Sequence, residues 1–301
     1  EFPGAAYSLR LEPGYAFDTD RVRFVYASPC QPAQTFDYDM RARSRELLKT
    51  REVPSGHDPE RYAVERLDAP APDGALVPVT ILRRHDTPLD GSAPLLLEAY
   101  GSYGLHLPDD FSGNVLSLVD RGFVYAVAHV RGGSACGWQW YLDGKGAHKQ
   151  RTFDDCIAAA ERLIADGYTG PGRIVVYGGS AGGLVVGAAL NQRPELFAAG
   201  LGAVPFVDIL NTMSDPDLPL TPPEWPEWGN PIEDAAAYRS IRAYSPYDNI
   251  RADADYPPVM ATAGLADFRV TYWEPAKWIA RLRAEARGGP FVLRINLDAG
   301  H

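Results

Sequence analysis

Cysteine is scarce in this chain: Cys30, Cys136 and Cys156 lie far apart in 301 residues. An odd, sparse set excludes a disulfide scaffold and predicts free thiols in a reducing compartment, the cytoplasm, with the periplasm left open. No matching base stands beside any of the three, so all are read as packing residues. Long apolar runs are missing too. None reaches the roughly 18 residues that a membrane-spanning helix needs. Cations are outnumbered, 29 Lys and Arg against 39 Asp and Glu, for a formal net charge of −10. That balance argues against nucleic acid as a partner and mildly favours cationic ligands. There is no G-x-x-x-x-G-K-[ST] loop and no H-E-x-x-H zinc motif, so the sequence calls for no cofactor and no metal. An initiator methionine is also absent. The chain opens inside strand-like sequence and stops on a histidine, which predicts a piece of a longer protein.

What is present centres on residues 177–183, YGGSAGG. An apolar run, Ile174 to Val176, precedes it, and helix-like sequence from Leu184 to Gln192 follows. A strand, a Gly-bounded turn carrying one serine, and a helix make a nucleophile elbow. The glycines admit close backbone approach and leave Ser180 projecting from the carboxyl end of a strand. The helix that follows aims its N-terminal amides at the same place. A dinucleotide fingerprint would need glycine where Ser180 stands. A plain Gly/Ser turn is the other reading of the motif alone.

An elbow serine needs a base and an acid that orients it, in the chain order Ser, Asp, His. His301 is the one histidine after Ser180. It follows strand-like Phe291 to Ile295. Between them, Val259 to Ala263 reads as a buried strand, and Asp267 lies just past its end. Asp267 also suits a turn or helix cap, and Asp298 competes for its role.

Several further segments carry a resemblance. They are 100–104 (YGSYG), 121–133 (RGFVYAVAHVRGG), 140–145 (WYLDGK), 191–197 (NQRPELF), 204–208 (VPFVD), 227–231 (EWGNP), 244–249 (YSPYDN) and 270–278 (VTYWEPAKW). From about residue 70 onward, the chain resembles the catalytic part of the prolyl oligopeptidase family of serine peptidases, within it the oligopeptidase B branch. The resemblance implies Ser180 as nucleophile, Asp267 as orienting acid and His301 as base. It implies an oxyanion hole from the Tyr100 hydroxyl and the Ala181 amide. It matches Arg269 to an arginine that holds a substrate carbonyl, against the alternative of a surface salt bridge. It also implies cleavage of short peptides after Arg or Lys. Glu224 matches the first of two paired glutamates, the second being Pro226 here. Asp110 matches one of two spaced aspartates, the other being Pro108. Glu224 alternatively reads as a solvated acid on a proline-rich loop. Residues 134–137 (SACG) depart from the family pattern.

The expected fold is α/β: an α/β-hydrolase with a mostly parallel central sheet, over residues 67–301. Strands are expected at Leu76–Leu82, Leu95–Leu97, Phe123–Val130, Ile174–Tyr177, Leu201–Val204, Val259–Ala263 and Phe291–Ile295. Thr152–Ala165 and Tyr272–Ala284 read as helices, the first with a capping box of Thr152 and Asp155. Residues 1–66 read as a four-stranded antiparallel meander. The resemblance makes it the last blade of a β-propeller whose remaining portion belongs to the same protein. Two prolines and a glycine within 67–74 predict a linker between the parts. An esterase or aminopeptidase on the same residues, and a non-catalytic binding module, are the competing function classes.

Overall fold

The computed structural model describes residues 2, 4–14 and 16–301. Its strands are β1 (Ser8–Leu11), β2 (Arg21–Ala27), β3 (Gln34–Asp39), β4 (Ser44–Thr50), β5 (Tyr62–Pro70), β6 (Leu76–Arg84), β7 (Leu95–Ala99), β8 (Val124–Ala128), β9 (Ile174–Gly179), β10 (Phe197–Ala203), β11 (Asp255–Tyr256), β12 (Val259–Gly264), β13 (Arg287–Gly288) and β14 (Phe291–Asn296). Its α-helices are α1 (Gly113–Val119), α2 (Trp138–Leu142), α3 (Gln150–Ala165), α4 (Ala181–Gln192), α5 (Ile209–Met213), α6 (Thr221–Trp228), α7 (Ala235–Tyr244) and α8 (Trp273–Glu285). Two compact units emerge, one of Glu1–Leu67, Thr80–Thr87 and Pro108–Tyr125, the other of Asp68–Val79, Pro88–Leu107 and Ala126–His301.

In the smaller unit, β1 to β4 form an antiparallel sheet in chain order, the expected meander. Alternation in β2 and β3 sets Phe24 opposite Phe36, and their rings stack with centroids 5.3 Å apart. Such cross-strand aromatic pairs stabilise a two-layer ribbon beyond their area burial. A second cluster of Tyr62, Leu82, Leu116 and Val119 gathers Cys30 and Phe111 at its edge.

The larger unit owes its sheet to short, continuous apolar runs. Leu95, Leu97, Ile174 and Val176 are completely buried, and the residues between them, on the other face, are half-buried. β7, β9, β10, β12 and β14 pair in parallel, with Leu97 beside Val176, Gly200 beside Val176 and Val259, and Val259 beside Phe291. The eight-strand order is β14-β12-β10-β9-β7-β8-β6-β5. Helix α4 packs on β9 and β10, and α8 on β12 and β14. This is the mostly parallel α/β sheet that the sequence predicts.

Four expectations need correction. β5 runs to Pro70, through the predicted linker, and only Ala71–Ala75 forms the turn. Proline is tolerated at a strand end, and it ends this one. The capping box at Thr152 and Asp155 does not form, because α3 begins at Gln150. Thr152 Oγ1 instead donates to the carbonyls of Arg131 and Gly144. Asp155 turns to Arg131, whose Nε and Nη2 both donate to it and whose Nη1 reaches Asp73 at 2.5 Å. The proline-rich stretch around Glu224 is helical, not a loop. Pro222 and Pro223 occupy its first turn, where a missing N–H loses no intrahelical bond, and only Pro226 forfeits one. Finally, Cys156 is buried and Cys30 half-buried, but Cys136 is exposed, so it is not a packing residue. It sits in the Gly-flanked loop after β8, outside any apolar layer.

Candidate active site

Ser180 stands between the last residue of β9 and the first of α4, at φ 53° and ψ −122°. For a residue with a Cβ this backbone region costs about 1–3 kcal/mol and persists only where surroundings enforce it. The enforcement is visible. Ser180 N–H donates to Ala203 O at 2.8 Å, while Ser180 O accepts from Gly183 and Phe206 at 2.9 Å each. The flanking glycines are required by contact. A Cβ at Gly178 would lie 2.2 Å from Gly182 O, and one at Gly182 would lie 2.7 Å from Ala99 O.

The loop after β12 brings Asp267 in, and the loop after β14 brings His301. The two loops are tied together: Leu265 N–H donates to Asn296 O at 2.9 Å, and Ala266 N–H to Ala299 O at 3.0 Å. His301 Nε2 is 3.0 Å from Ser180 Oγ, and its Nδ1 is 2.8 Å from Asp267 Oδ2. The Asp267 side chain is fully shielded from water. Its other oxygen accepts the backbone N–H groups of Arg269 at 2.9 Å and Val270 at 3.0 Å. An ionised carboxylate is acceptor-only. It therefore places the imidazole proton on Nδ1 and leaves Nε2 as acceptor for the serine proton. It is Asp267, and not Asp298, whose carboxylate meets the histidine; the Asp298 backbone N–H donates to Asn296 Oδ1.

Ser180, Ala181, Tyr100, Phe206, Glu224 and Arg269 line one cleft of about 420 Å³. Tyr100 follows β7. Burial, then the charges of Glu224 and Glu227, push its phenol above the ordinary range, so it is a neutral O–H donor at physiological pH. Ala181 is the first residue of α4, so its N–H has no intrahelical acceptor. Glu224 Oε2 accepts from the Tyr103 hydroxyl and from Trp228 Nε1–H, both at 2.9 Å. Burial and the Glu224 charge drive the Tyr103 phenol far above its usual range, keeping that donor protonated. Tyr103 adopts a left-handed backbone, φ 59°, and its N–H donates to Glu227 at 2.9 Å. Arg269 makes no ion pair among the described residues; its guanidinium lies 5.9 Å from the Phe268 ring centroid. Asp110 belongs to the smaller unit, where it accepts a hydrogen bond from Ser8 Oγ.

The fold thus gathers Ser180, Asp267, His301, Tyr100, Ala181, Glu224 and Arg269 within one unit. Tyr103, Glu227 and Trp228 were not singled out from sequence. They lie inside the YGSYG and EWGNP segments, but only the fold shows which of those side chains grips Glu224. Among the described residues no three His, Cys, Asp or Glu side chains are grouped to hold a metal ion. No helix there is long and apolar enough to cross a membrane.

Known proteins resemble this chain along its whole length. Dipeptidyl aminopeptidase BI of Pseudoxanthomonas mexicana is 47% identical over 299 residues, which is 99% of this chain and 41% of that protein. Protease 2 of Moraxella lacunata is 42% identical, over 98% of this chain and 43% of its own length. Among solved structures, oligopeptidase B from Leishmania major superposes with a TM-score of 0.94 at 41% identity, covering all of this chain and 42% of the other. Oligopeptidase B from Trypanosoma brucei, with covalently bound antipain, gives 0.95 at 42% identity. The chain therefore spans about two fifths of the length of these relatives. The sequence profile of the prolyl oligopeptidase family matches residues 109–301. With an α/β-hydrolase fold and these relatives, the chain belongs to the prolyl oligopeptidase family.

Proposed function

We propose that this chain is the catalytic part of a serine peptidase acting on short peptides, with cleavage after Arg or Lys. The observation that carries the reading is the unbroken series Ser180–His301–Asp267, at 3.0 and 2.8 Å. His301 Nε2 removes the proton as Ser180 Oγ bonds to the scissile carbonyl carbon. The carbonyl electrons move onto oxygen, which faces the Ala181 N–H and the Tyr100 O–H. His301 then returns the proton to the leaving amine as the C–N bond breaks, leaving an acyl-enzyme. Water, deprotonated by the same base, releases the acid. Asp267 holds the tautomer and stabilises the imidazolium. Arg269, at the cleft wall, holds a substrate backbone carbonyl. The names of the relatives, an aminopeptidase and a protease, support peptide bonds as the target. The four-stranded sheet of β1 to β4 is read as one blade of a propeller shared with the rest of the protein.

Glu224 supplies the basic preference, being the one carboxylate that lines the cleft among the described residues. Tyr103 and Trp228 already fix its orientation, so a substrate cation meets a preorganised acceptor. A charge-assisted contact of about 1.5–3 kcal/mol corresponds to roughly tenfold to a hundredfold in kcat/KM. Glu224→Gln is expected to lose that factor on Arg and Lys substrates and to leave Pro and Phe substrates almost unchanged. Equal loss on all four removes Glu224 from the pocket. Tyr100→Phe deletes one oxyanion donor and is expected to lower kcat by on the order of 10²–10³. Steady-state kinetics with the full-length protein check both. An undiminished kcat for Tyr100→Phe excludes the hydroxyl from the site.

A further inference from the structure

Lys149, the residue before α3, is completely buried. Its Nζ donates to Gly101 O at 2.5 Å and to Ser102 Oγ at 3.0 Å, and stands 5.0 Å from the centre of the Trp228 ring. Burial pulls the ammonium down to about 7, against the opposing pull of Glu227. Glu227 is buried as well. It accepts the Tyr103 N–H at 2.9 Å and the Tyr141 hydroxyl at 2.6 Å. Three consecutive residues are thus each held by a buried ionisable side chain. Lys149 takes oxygens of Gly101 and Ser102, and Glu227 takes the N–H of Tyr103.

Burying ions is unfavourable, and neither of these makes a hydrogen bond to the three groups proposed to do the chemistry. What they share is the segment they grip. Tyr100 immediately precedes it, and Tyr103, which orients Glu224, ends it. The segment is also confined from the far side. Gly101 has φ +72°, and a Cβ there would lie 2.4 Å from Thr152 Cγ2. Three polar anchors and one steric wall leave Tyr100 little freedom. That matters because an oxyanion donor works only when preorganised, and a displacement of about 1 Å can reduce rate by about 10².

We infer that Lys149 and Glu227 are positioning residues: by clamping 101–103 they hold the Tyr100 hydroxyl where the oxyanion forms. The inference rests on the reading of Tyr100 as a donor. It is tested in the full-length protein by a double-mutant cycle of Lys149→Met and Tyr100→Phe. Lys149→Met alone is expected to lower kcat by roughly 10- to 100-fold while KM changes by less than about threefold. In the Tyr100→Phe background the same substitution is expected to lower kcat by less than about threefold, because the group it positions is gone. A merely structural lysine gives the same fold-loss in both backgrounds, and that result overturns the inference while leaving the donor reading intact. An unchanged kcat for Tyr100→Phe overturns both. Should Lys149→Met fail to fold, Ser102→Ala removes one anchor and keeps the buried ammonium. Its loss is expected to be about 3- to 10-fold and equally dependent on Tyr100, and additivity there is likewise decisive against the clamp.

Discussion

Ser180→Ala is expected to lower kcat by on the order of 10⁶ while leaving KM within a fewfold of its starting value. The substitution removes the attacking oxygen and nothing else of size. The backbone at φ 53° accepts alanine as it accepts serine, since both carry a single Cβ. The groups proposed to bind substrate, Glu224 and Arg269 among them, are untouched. His301→Ala should match the loss, because without a base the hydroxyl is a poor nucleophile. Asp267→Ala should lose less, on the order of 10⁴, since the imidazole survives with its orientation relaxed. Losses for members of such a chain do not add. Initial rates on an Arg substrate, with fluorophosphonate labelling read by mass spectrometry, check the series. A Ser180→Ala protein within a hundredfold of the parent, or still labelled, removes Ser180 as nucleophile.

The largest effect on stability should come from Arg131→Met. The Arg131 side chain is 5% exposed and its main partner, Asp155, is 0% exposed. Asp155 Oδ2 accepts from the Arg131 backbone N–H at 2.8 Å as well as from the guanidinium. Burial pushes the Asp155 carboxyl up even with the guanidinium pulling it down, so desolvation is the larger influence. Removing the arginine leaves that carboxyl buried without its cation. Breaking a buried pair from one side costs about 3–5 kcal/mol. At about 2–4 °C per kcal/mol for a unit of this size, the melting temperature should fall by roughly 6–20 °C. Restoring neutrality with Arg131→Met and Asp155→Leu together should regain most of the loss, because the pair as a whole contributes little net stability. A melting temperature for the single variant within 2 °C of the parent, on the order of a surface effect, refutes the assignment.

The sequence made some residues legible and hid others for identifiable reasons. Ser180, Asp267 and His301 could be read because each follows a recognisable strand, and strand-end loops are where an α/β sheet delivers its chemistry. The parallel strands themselves were readable from short apolar runs. Their ends were not, because β9 continues through Gly178 and Gly179 and β10 begins at Phe197, in segments without β-branched residues. Helix α6 was hidden by its prolines, two of which fall where a helix tolerates them. Thr152 and Asp155 have the spacing of a capping box, but long-range partners outcompete local ones. Lys149 carries no local signal, and Glu227 only its place in the EWGNP segment. Charged residues are ordinarily solvent-facing, and only the folded chain brings this pair against residues 101–103.

The strand order has a consequence for synthesis. Ser180 and His301 are 121 residues apart in sequence, and Asp267 and His301 are 34 apart, yet all three converge on one point. They arrive from β9, β12 and β14, and β14 pairs only with β12 at the margin of the sheet. Parallel pairings close large loops and form slowly. A ribosome emits the elbow long before the histidine. Through that interval the nascent chain carries Ser180 without the histidine proposed as its base. On the proposed reading, peptidase activity therefore waits until the marginal strand has docked.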